Sequence, residues 1–158
     1  MRILIYTDGA ASGNPGPGGY GIVMIAGKHR KELAAGFRHT TNNRMELLAV
    51  IVALEQIKTL GADVLVTSDS KYVVDSVEKG WVFNWVKKGF KGKKNPDLWK
   101  RFLKIYRKHN VKFEWVKGHN NHPENERCDA LAVSAGKKEN LPMDKCYEDF
   151  LKSEKGIF

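Results

Sequence analysis

The chain has 158 residues, a formal net charge of +9 and only two cysteines, Cys128 and Cys146. This length suits one domain with a single core, and the cysteine spacing matches neither a disulfide scaffold nor a paired zinc motif. The first residues lack the apolar run of a signal peptide, and the longest apolar run, residues 47–54, is too short to cross a membrane. We therefore expect a soluble cytoplasmic protein.

The positive charge is concentrated in one stretch of the chain. Residues 79–112 contain twelve Lys or Arg residues and a single acid, Asp97, so the remaining sequence has a net charge of −2. Trp81 and Trp85 lie among the cations at the start of this stretch. Since cations can contact phosphates while rings contact sugars or bases, the pattern favours a nucleic-acid partner over a solvated helix face.

Three antiparallel strands are predicted at the start of the chain. The first covers residues 3–7 and ends at Asp8, the second covers residues 20–26 and the third covers residues 31–39. Residues 10–19, between the first two strands, are rich in Gly and Pro and are predicted to form a loop. Strands joined by short connections indicate an antiparallel meander.

A glycine pattern in this region has two alternative interpretations that we reject. Gly16, Gly18 and Gly21 match the dinucleotide-binding pattern G-x-G-x-x-G, and Val23 extends the match to the kinase glycine loop. The dinucleotide motif needs a helix to begin there, whereas a strand follows. The chain also lacks the His-Arg-Asp and Asp-Phe-Gly motifs of kinases.

Periodicity and turn signals predict the remaining elements. In chain order they are a helix that starts at Thr41-Asn42-Asn43 with its body at residues 45–58, a buried strand at 64–67, a helix at 71–79, a helix at 97–108, a strand at 111–116, and a helix from Pro123 to about residue 135. The first helix is apolar nearly all round, so we expect it to be packed on more than one side. Apolar residues at helical spacing in the tail predict a short docked helix within residues 141–158.

Three acids lie at or near the ends of predicted elements, a fourth lies on the helix after the histidine-containing loop, and each has a purely structural alternative. Asp8 could cap a turn, Glu46 could complete a capping box in the first helical turn, Asp69 could be a helix N-cap, and Asp129 could be an ordinary solvated acid. Their joint placement needs another explanation, because strand ends and helix starts meet at one edge of an α/β sheet. Four carboxylates there would repel unless cations lay between them. Two Mg²⁺ ions fit, since such a pair promotes in-line displacement at phosphorus.

A zinc site is a further alternative. His119 and His122 lie in one loop, and Cys128 follows in the next helix. We reject this interpretation because Cys128 falls on the apolar side of its helix, with Leu131 and Ala132.

Six ordered segments identify a family. They are Tyr-Thr-Asp-Gly at 6–9, Gly-Asn-Pro-Gly-Pro-Gly-Gly-Tyr-Gly at 13–21, Thr-Thr-Asn-Asn-Arg-Met-Glu-Leu at 40–47, Asp-Ser-Lys-Tyr-Val at 69–73, Trp-Val-Lys-Gly-His at 115–119, and His-Pro-Glu-Asn-Glu-Arg-Cys-Asp at 122–129. In these segments the chain resembles the type 1 ribonuclease H family over almost its whole length.

The resemblance implies an α/β fold of the ribonuclease H-like type. This fold has a five-stranded mixed sheet, three antiparallel strands followed by two parallel ones, with helices on both faces. Residues 1–140 would form the domain, with a basic protrusion at about 80–95, and residues 141–158 the tail. The implied activity is endonucleolytic hydrolysis of the RNA strand of an RNA–DNA hybrid, with little sequence specificity, by a monomer that leaves 5′-phosphate and 3′-hydroxyl ends.

The resemblance also implies roles for individual residues. Asp8, Glu46, Asp69 and Asp129 would hold two Mg²⁺ ions, for which Mn²⁺ can substitute, and His119 would accept a proton or assist product release. The implied substrate contacts are Asn14, Asn42 and Asn43 to the minor groove, Thr41 to a DNA phosphate, and Trp81, Trp85, Lys87, Lys88 and Lys91 to the DNA strand. Asn125 and Glu126 would support the fourth carboxylate.

The chain departs from the common family pattern in two places near these residues. Lys71 stands where the family often has Gln, which puts an RNA contact in doubt and allows an added phosphate interaction. Asn120 and Asn121 replace a more usual small residue and glycine, which affects how the His119 loop moves. Neither departure touches the four carboxylates.

Overall fold

The computed structural model describes residues 2–118 and 120–155. Five strands are present in this part of the chain: β1 Arg2–Ala11, β2 Gly16–Ala26, β3 His29–Thr40, β4 Asp63–Ser68 and β5 Asn110–Trp115. The helices are α1 Asn42–Glu55, α2 Lys71–Glu78, α3 Trp81–Lys87, α4 Pro96–Tyr106, α5 Pro123–Gly136 and α6 Lys145–Lys155. None of these helices is long and apolar enough to cross a membrane.

The five strands form one mixed sheet in the order β3-β2-β1-β4-β5. β1 pairs with β2, and β2 with β3, in antiparallel fashion, whereas β1–β4 and β4–β5 are parallel pairs. The two parallel connections run through helices, as parallel strands require. The predicted fold class, with three antiparallel strands followed by two parallel ones, is confirmed.

Gly9 of β1 and Gly21 of β2 show that helices cover both faces of the sheet. A Cβ at Gly9 would overlap the backbone of α1 at Met45, while a Cβ at Gly21, which is paired with Asp8, would overlap the backbone of α5 at Cys128. Since adjacent residues of a strand point to opposite faces, α1 and α5 lie on opposite sides of the sheet.

The main core lies between α1, α4 and the sheet. Residues Met45 to Ile51 of α1 are all buried, which confirms that this helix is packed on more than one side. Ile5, Ile22 and Val66 cover it from the sheet, and Trp99 and Phe102 of α4, both fully buried, cover it from the other side. A helix buried all round is a rigid support for any side chain that it carries.

The Gly- and Pro-rich segment is not the loop that the sequence predicts. β1 continues to Ala11 and β2 already begins at Gly16, so the connection is only residues 12–15. Gly19 serves a different purpose from turn formation. A Cβ there would lie 2.6 Å from the backbone carbonyl of Ala132, so glycine lets α5 lie directly on β2. The prediction was wrong because turn chemistry and close helix packing select the same residue.

The C-terminal tail is fastened by polar contacts. Asp144 is buried and accepts hydrogen bonds from the Thr40 hydroxyl and the Arg44 guanidinium, both at 2.7 Å. The Arg38 backbone N–H donates to the carbonyl of Pro142 at 2.9 Å. The apolar spacing that predicts a docked helix overstates its burial, since Phe150 is 56% exposed. We propose that residues 141–158 are a docked extension of the domain at 1–140.

Candidate active site

Asp8 and Asp69 come from neighbouring parallel strands. The β1–β4 pairing ends with Thr7 opposite Ser68, and each acid is the next residue along its strand. Asp8 therefore lies inside β1, which continues to Ala11, and not at the strand's end as predicted. Its position is still the edge of the sheet where β4 stops, and such an edge leaves room for a site.

Glu46 reaches the same edge from α1. The absence of a side chain at Gly9 allows this approach, because a Cβ there would overlap the backbone of Met45 and Glu46. The Gly9 backbone N–H donates to Glu46 Oε1 at 2.6 Å and to Asp8 Oδ1 at 2.9 Å. A single backbone amide therefore holds both carboxylates in place.

The capping alternatives for two of the acids are wrong. α1 is capped by Thr41, whose hydroxyl accepts a backbone N–H three residues further along at 3.2 Å. α2 is capped by Ser70 in the same way, also at 3.2 Å. Neither helix start therefore explains why Glu46 or Asp69 is present.

Three of the four predicted acids form a tight cluster. One carboxylate oxygen from each of Asp8, Glu46 and Asp69 lies within 4.8 Å of the other two. In the described part of the chain, this is the one group of His, Cys, Asp or Glu side chains close enough to share a metal ion. Asp129 of α5 lies outside that group, but it lines the same open cavity of about 410 Å³.

Burial and mutual repulsion perturb the clustered acids. The side chains of Asp8 and Glu46 are both buried, with 6% and 7% of each residue exposed. Burial, reinforced by the charges of Asp69 and Asp129, raises the pKa of Asp8 to about 7. Burial and the contact with Asp8 also raise the pKa of Glu46. Without a cation, the pair of Asp8 and Glu46 therefore binds a proton more tightly than two ordinary carboxyl groups would, and a bound cation would displace that proton.

The donor set fits a hard divalent cation. Glu46 Oε2 is buried and has no hydrogen-bond partner among residues 2–118 and 120–155. A buried oxygen without a hydrogen-bond partner destabilises the folded protein, and a bound cation would remove that penalty. Carboxylate oxygens are the ligands that Mg²⁺ and Mn²⁺ take in proteins. Asp8, Glu46 and Asp69 could therefore hold such an ion, with Asp129 as a further ligand on the same cavity.

The loop after β5 passes against Asp69. A Cβ at Gly118 would lie 2.7 Å from Asp69 Oδ2, so a side chain there would disturb the carboxylate. The Trp115 indole Nε1 donates to the Asp69 backbone carbonyl at 3.0 Å. His119, predicted to accept a proton, follows Gly118 but lies outside the described residues. Its role stays a prediction.

Comparison with protein families decides what kind of protein carries this site. A family model described as RNase H matches residues 1–137, which is most of the chain. The chain belongs to the RNase H family. The prediction from the six sequence segments, including its enzyme class, is confirmed.

Individual RNase H proteins show how close the similarity is. The ribonuclease H of Desulforamulus reducens is 61% identical over 148 residues, which is 90% of this chain and 92% of that protein. The ribonuclease H of Rippkaea orientalis is 54% identical over 94% of this chain and 93% of its own length. Among solved structures, LC9-RNase H1 is 32% identical with a TM-score of 0.77, over 85% of this chain and 72% of that chain. LC11-RNase H1 in complex with an RNA/DNA hybrid is 31% identical with a TM-score of 0.63, over 84% and 95%.

Two of the three asparagines that the RNase H resemblance assigns to the minor groove lie beside the carboxylates. Asn42 and Asn43, the first residues of α1, line the same cavity. Asn42 Oδ1 accepts from the Ala11 N–H at 2.5 Å, and the Asn42 N–H donates to Asn14 Oδ1 at 3.0 Å. Asn14 is thereby tied to the start of α1. Thr41 is adjacent, with its hydroxyl oxygen already occupied as the helix cap.

The basic protrusion is built from α3 and the turn that follows it. Trp81 is 44% exposed, and the Lys79 ammonium lies 5.3 Å from its ring centroid. Trp85 is half-buried because it packs edge-on against the buried Trp99, with centroids 5.8 Å apart. The predicted DNA-binding lysines of this protrusion are exposed: Lys87, Lys88 and Lys91. The protrusion thus combines a fixed aromatic base with solvent-facing cations.

Among the described residues that line the cavity, Lys71 is the one with a positively charged side chain. Its ammonium lies 4.8 Å from the centroid of the Trp115 ring, and Trp115 in turn contacts the backbone of Asp69. The departure from Gln at this position therefore places a positive charge beside the carboxylates.

The zinc alternative finds no support in the described part of the chain. Cys128 is buried, and its thiol donates to the carbonyl of Tyr6 at 3.1 Å. Burial raises the pKa of this thiol to about 12, so it stays protonated and is a poor metal ligand. The ring of His122 packs against Tyr6, with centroids 5.7 Å apart. The apolar placement of Cys128 predicted from helix periodicity is correct.

Sequence reasoning missed two residues that connect the site to its surroundings. Arg44 is buried and bonded to Asp97 and Asp144, and Tyr72 lines the cavity and bonds to Trp99. Both belong to segments quoted for the family resemblance, yet neither has an obvious role in the sequence. A buried arginine's partners lie 53 and 100 residues away along the chain, so no local pattern reveals them.

Proposed function

We propose that this RNase H is an endonuclease that hydrolyses the RNA strand of RNA–DNA hybrids with the help of two divalent cations. The observation that carries the proposal is the cluster of Asp8, Glu46 and Asp69, held within 4.8 Å of one another by three separate elements. Buried acids so close together repel one another, and this repulsion outweighs any structural benefit of the cluster. The products would have 5′-phosphate and 3′-hydroxyl ends.

The nature of the substrate is supported by the relatives and by the charge distribution. The relatives are named ribonuclease H, and one similar solved structure is a complex with an RNA/DNA hybrid. The basic protrusion of this chain, with exposed Lys87, Lys88 and Lys91, offers cations for the phosphates of such a duplex. Little sequence specificity is expected, because phosphate contacts carry no base information.

The proposed metal ligands are Asp8, Glu46, Asp69 and Asp129. When bound, two Mg²⁺ ions, or Mn²⁺ in their place, supply the charge that activates water and stabilises the leaving oxygen. The chain itself supplies the orientation: the Gly9 amide fixes Asp8 and Glu46, and Gly118 leaves room for the Asp69 carboxylate. His119 is proposed to accept a proton or to assist product release, because an imidazole can both accept and donate a proton.

The two strands would be distinguished by separate parts of the surface. Asn14, Asn42 and Asn43 are proposed to contact the minor groove, where a 2′-hydroxyl marks the RNA strand. Lys71 would contact a phosphate near the cut strand. The residues proposed to hold the DNA strand are Thr41, Trp81, Trp85, Lys87, Lys88 and Lys91. This arrangement would recognise the shape and the sugar chemistry of the duplex but not its base sequence.

Cleavage of end-labelled duplexes tests the proposal. The hybrid, with its RNA strand labelled, is incubated in Mg²⁺ or in EDTA beside RNA duplex, DNA duplex and single-stranded RNA. We expect several cuts in the RNA of the hybrid, only with the metal, and little cleavage of the other three substrates. Hybrid that is bound but left whole in Mg²⁺ would show a binding module on the same fold.

The proposal includes a monomer that acts in the cytoplasm. Both cysteines are free thiols in the structure, Cys128 buried and Cys146 exposed, which suits a reducing compartment. Sedimentation of the purified protein with and without hybrid would measure its oligomeric state.

A further inference from the structure

We propose that the hydroxyl of Tyr72 donates a hydrogen bond to a phosphate oxygen of the bound nucleic acid, between the carboxylate cavity and the basic protrusion. The inference rests on the proposed function for the kind of substrate. It adds a positioning contact from a residue to which the sequence assigns no role.

The first observation is that the acceptor capacity of the Tyr72 hydroxyl is already filled. Its oxygen accepts from the Trp99 indole Nε1 at 2.8 Å and from Asn95 Nδ2 at 3.1 Å. A phenolic oxygen has two acceptor sites and one hydrogen to donate. No acceptor in the described part of the chain takes that hydrogen. The hydroxyl is therefore a donor that still lacks its partner.

The second observation is that the direction of these hydrogen bonds is fixed. Arg44 Nη1 donates to Asn95 Oδ1 at 3.2 Å, so the other end of the amide, Nδ2, must face Tyr72. Arginine and tryptophan side chains only donate, so neither contact can be reversed. Hydrogen bonds in such a chain polarise one another, so the two bonds that the Tyr72 oxygen accepts strengthen its own hydrogen as a donor. The Tyr72 hydroxyl is thus prepared to donate to an anion.

The third observation is the position of this residue. Tyr72 lies in the first turn of α2, three residues after Asp69, and lines the carboxylate cavity. Asn95 precedes α4 in a left-handed conformation, with φ of 62°, directly after the lysines of the basic protrusion. Trp99 packs against Trp85 of the same protrusion. Tyr72 therefore lies between the carboxylate cavity and the basic protrusion, where a duplex in contact with both surfaces would pass.

Phosphate is the ligand that this chemistry favours. A phosphate oxygen never donates, so it cannot compete with the donors that already occupy the Tyr72 oxygen. Lys71 is the neighbouring residue in α2, and the exposed Lys93 and Lys94 directly precede Asn95. Positive charge nearby favours an anion over a sugar hydroxyl or a water molecule. Both strands of a hybrid carry phosphates, so the experiment has to identify the strand.

A loss of activity alone would not establish this contact. Trp99 is fully buried, and removal of the hydroxyl would leave its indole N–H without a partner. That change is expected to destabilise the protein whether or not Tyr72 touches the substrate. A test must therefore ask which atom of the substrate responds to the hydroxyl.

Single methylphosphonate substitutions answer that question. Each substitution removes the charge from one phosphate of the DNA or the RNA strand, and kcat/KM is measured for wild type and Tyr72→Phe on every substrate. At one position, we expect the methylphosphonate to reduce kcat/KM of wild type about tenfold and that of Tyr72→Phe by less than about threefold. Elsewhere both proteins should respond equally. Equal penalties at every position would overturn the proposal and leave Tyr72 a structural role.

Two further proteins make the result interpretable. Tyr106→Phe removes a hydroxyl from a half-buried ring of α4 that packs on Phe102, and should retain the wild-type profile at every position. Replacement of Tyr72 by 3-fluorotyrosine keeps the oxygen that accepts from Trp99 and Asn95. This protein should therefore fold even if Tyr72→Phe does not. It should retain or increase the penalty at the same phosphate, and a loss of that penalty would contradict the proposal. Wild-type protein that cuts no hybrid would instead refute the proposed function.

Discussion

Two buried charges, two residues apart on α1, have opposite surroundings. Arg44 is 3% exposed and Glu46 is 7% exposed. The Arg44 guanidinium makes five hydrogen bonds, to Asp97, Asp144 and Asn95, which uses all its N–H groups. Glu46 accepts one bond from the Gly9 amide, has one oxygen without a partner among the described residues, and faces other acids.

The pKa directions express the same contrast. Burial pushes the pKa of Asp97 upward, but the hydrogen bonds and charge of Arg44 outweigh it and hold that pKa below its usual value. Burial raises the pKa of Glu46, and its neighbour Asp8 raises it further. The charge of Arg44 is balanced within the protein, whereas that of Glu46 is not. A balanced buried charge indicates a structural role, and an unbalanced cluster of like charges indicates a site for a cation from outside.

The largest expected effect comes from one member of the unbalanced cluster. Asp8→Asn keeps the shape of the side chain but removes the charge that a divalent ion would need. We expect cleavage of hybrid to fall by at least about a thousandfold, since the ions contribute several kcal/mol to the transition state. Binding of hybrid, measured by fluorescence anisotropy in EDTA, should remain within about threefold of wild type.

Asp149→Asn is the matched control for this variant. Asp149 is an exposed acid of α6 that pairs with Lys145 at 2.6 Å. The Asp149→Asn variant should cleave hybrid at the wild-type rate. Full activity in Asp8→Asn would refute the proposed metal site.

The balanced charge should affect stability. Arg44→Met preserves most of the side-chain volume but leaves Asp97 and Asp144 without their cation. Because this leaves partly buried carboxylates without a partner, we expect a loss of about 3 kcal/mol in the free energy of unfolding, measured by urea denaturation.

Arg38→Met provides the comparison for an exposed pair. Arg38 contacts Glu148 with two nitrogens, but its side chain is 55% exposed. Exposed pairs contribute little, so the loss should stay below about 1 kcal/mol. Equal losses in the two variants would mean that burial of the Arg44 network adds nothing.

The pH dependence of stability should distinguish the two kinds of charge. The folded protein raises the pKa of Asp8 from 3.8 to about 7. A raised pKa means that the folded state binds the proton more tightly, so the contribution of Asp8 to stability is fully present below about pH 4 and is lost as pH rises toward 7. In EDTA, wild type should lose on the order of 2 kcal/mol more than Asp8→Asn across this window. Parallel curves for the two proteins would contradict a raised pKa.

The smallest expected effect concerns the basic protrusion. A triple variant with Gln at Lys87, Lys88 and Lys91 should weaken hybrid binding about tenfold at moderate salt. The slope of log K against log salt should fall in magnitude by about 2 to 3, since each lost phosphate contact removes about 0.9. The control variant carries Gln at three exposed lysines elsewhere, Lys28, Lys58 and Lys138. An unchanged slope in the first variant would exclude the protrusion as the contact surface.

The sequence predicts the position of the site better than its details. Hydrophobic runs that stop at Asp8 and Asp69 are local patterns, and they correctly place both acids at one edge of the sheet. The capping alternative for Glu46 could not be decided locally, because the deciding contact is with the Gly9 amide, 37 residues away. The Gly-rich segment was misassigned as a loop because its partner, α5, lies more than 100 residues further along the chain.

The supporting contacts are invisible to sequence reasoning for the same reason. Arg44 appears in an ordinary helical segment, and only the fold brings Asp97 and Asp144 to its guanidinium. The Tyr72 hydroxyl resembles any tyrosine hydroxyl until Asn95 and Trp99 are seen to donate to it. Periodicity reports which face of an element is buried, but it contains no information about which polar partners meet there.

The most direct test of the account is a Mg²⁺ titration of stability without nucleic acid. The free energy of unfolding at pH 8 is measured for wild type and Asp8→Asn as Mg²⁺ is raised from zero, and Mn²⁺ is tested in parallel. If the cluster of Asp8, Glu46 and Asp69 is a cation site, wild type becomes more stable as the metal rises, because the ion binds the folded state. Asp8→Asn should be more stable than wild type without metal and should gain little from it. Equal gains in the two proteins, or no gain in wild type, would contradict the claim that these acids await a cation.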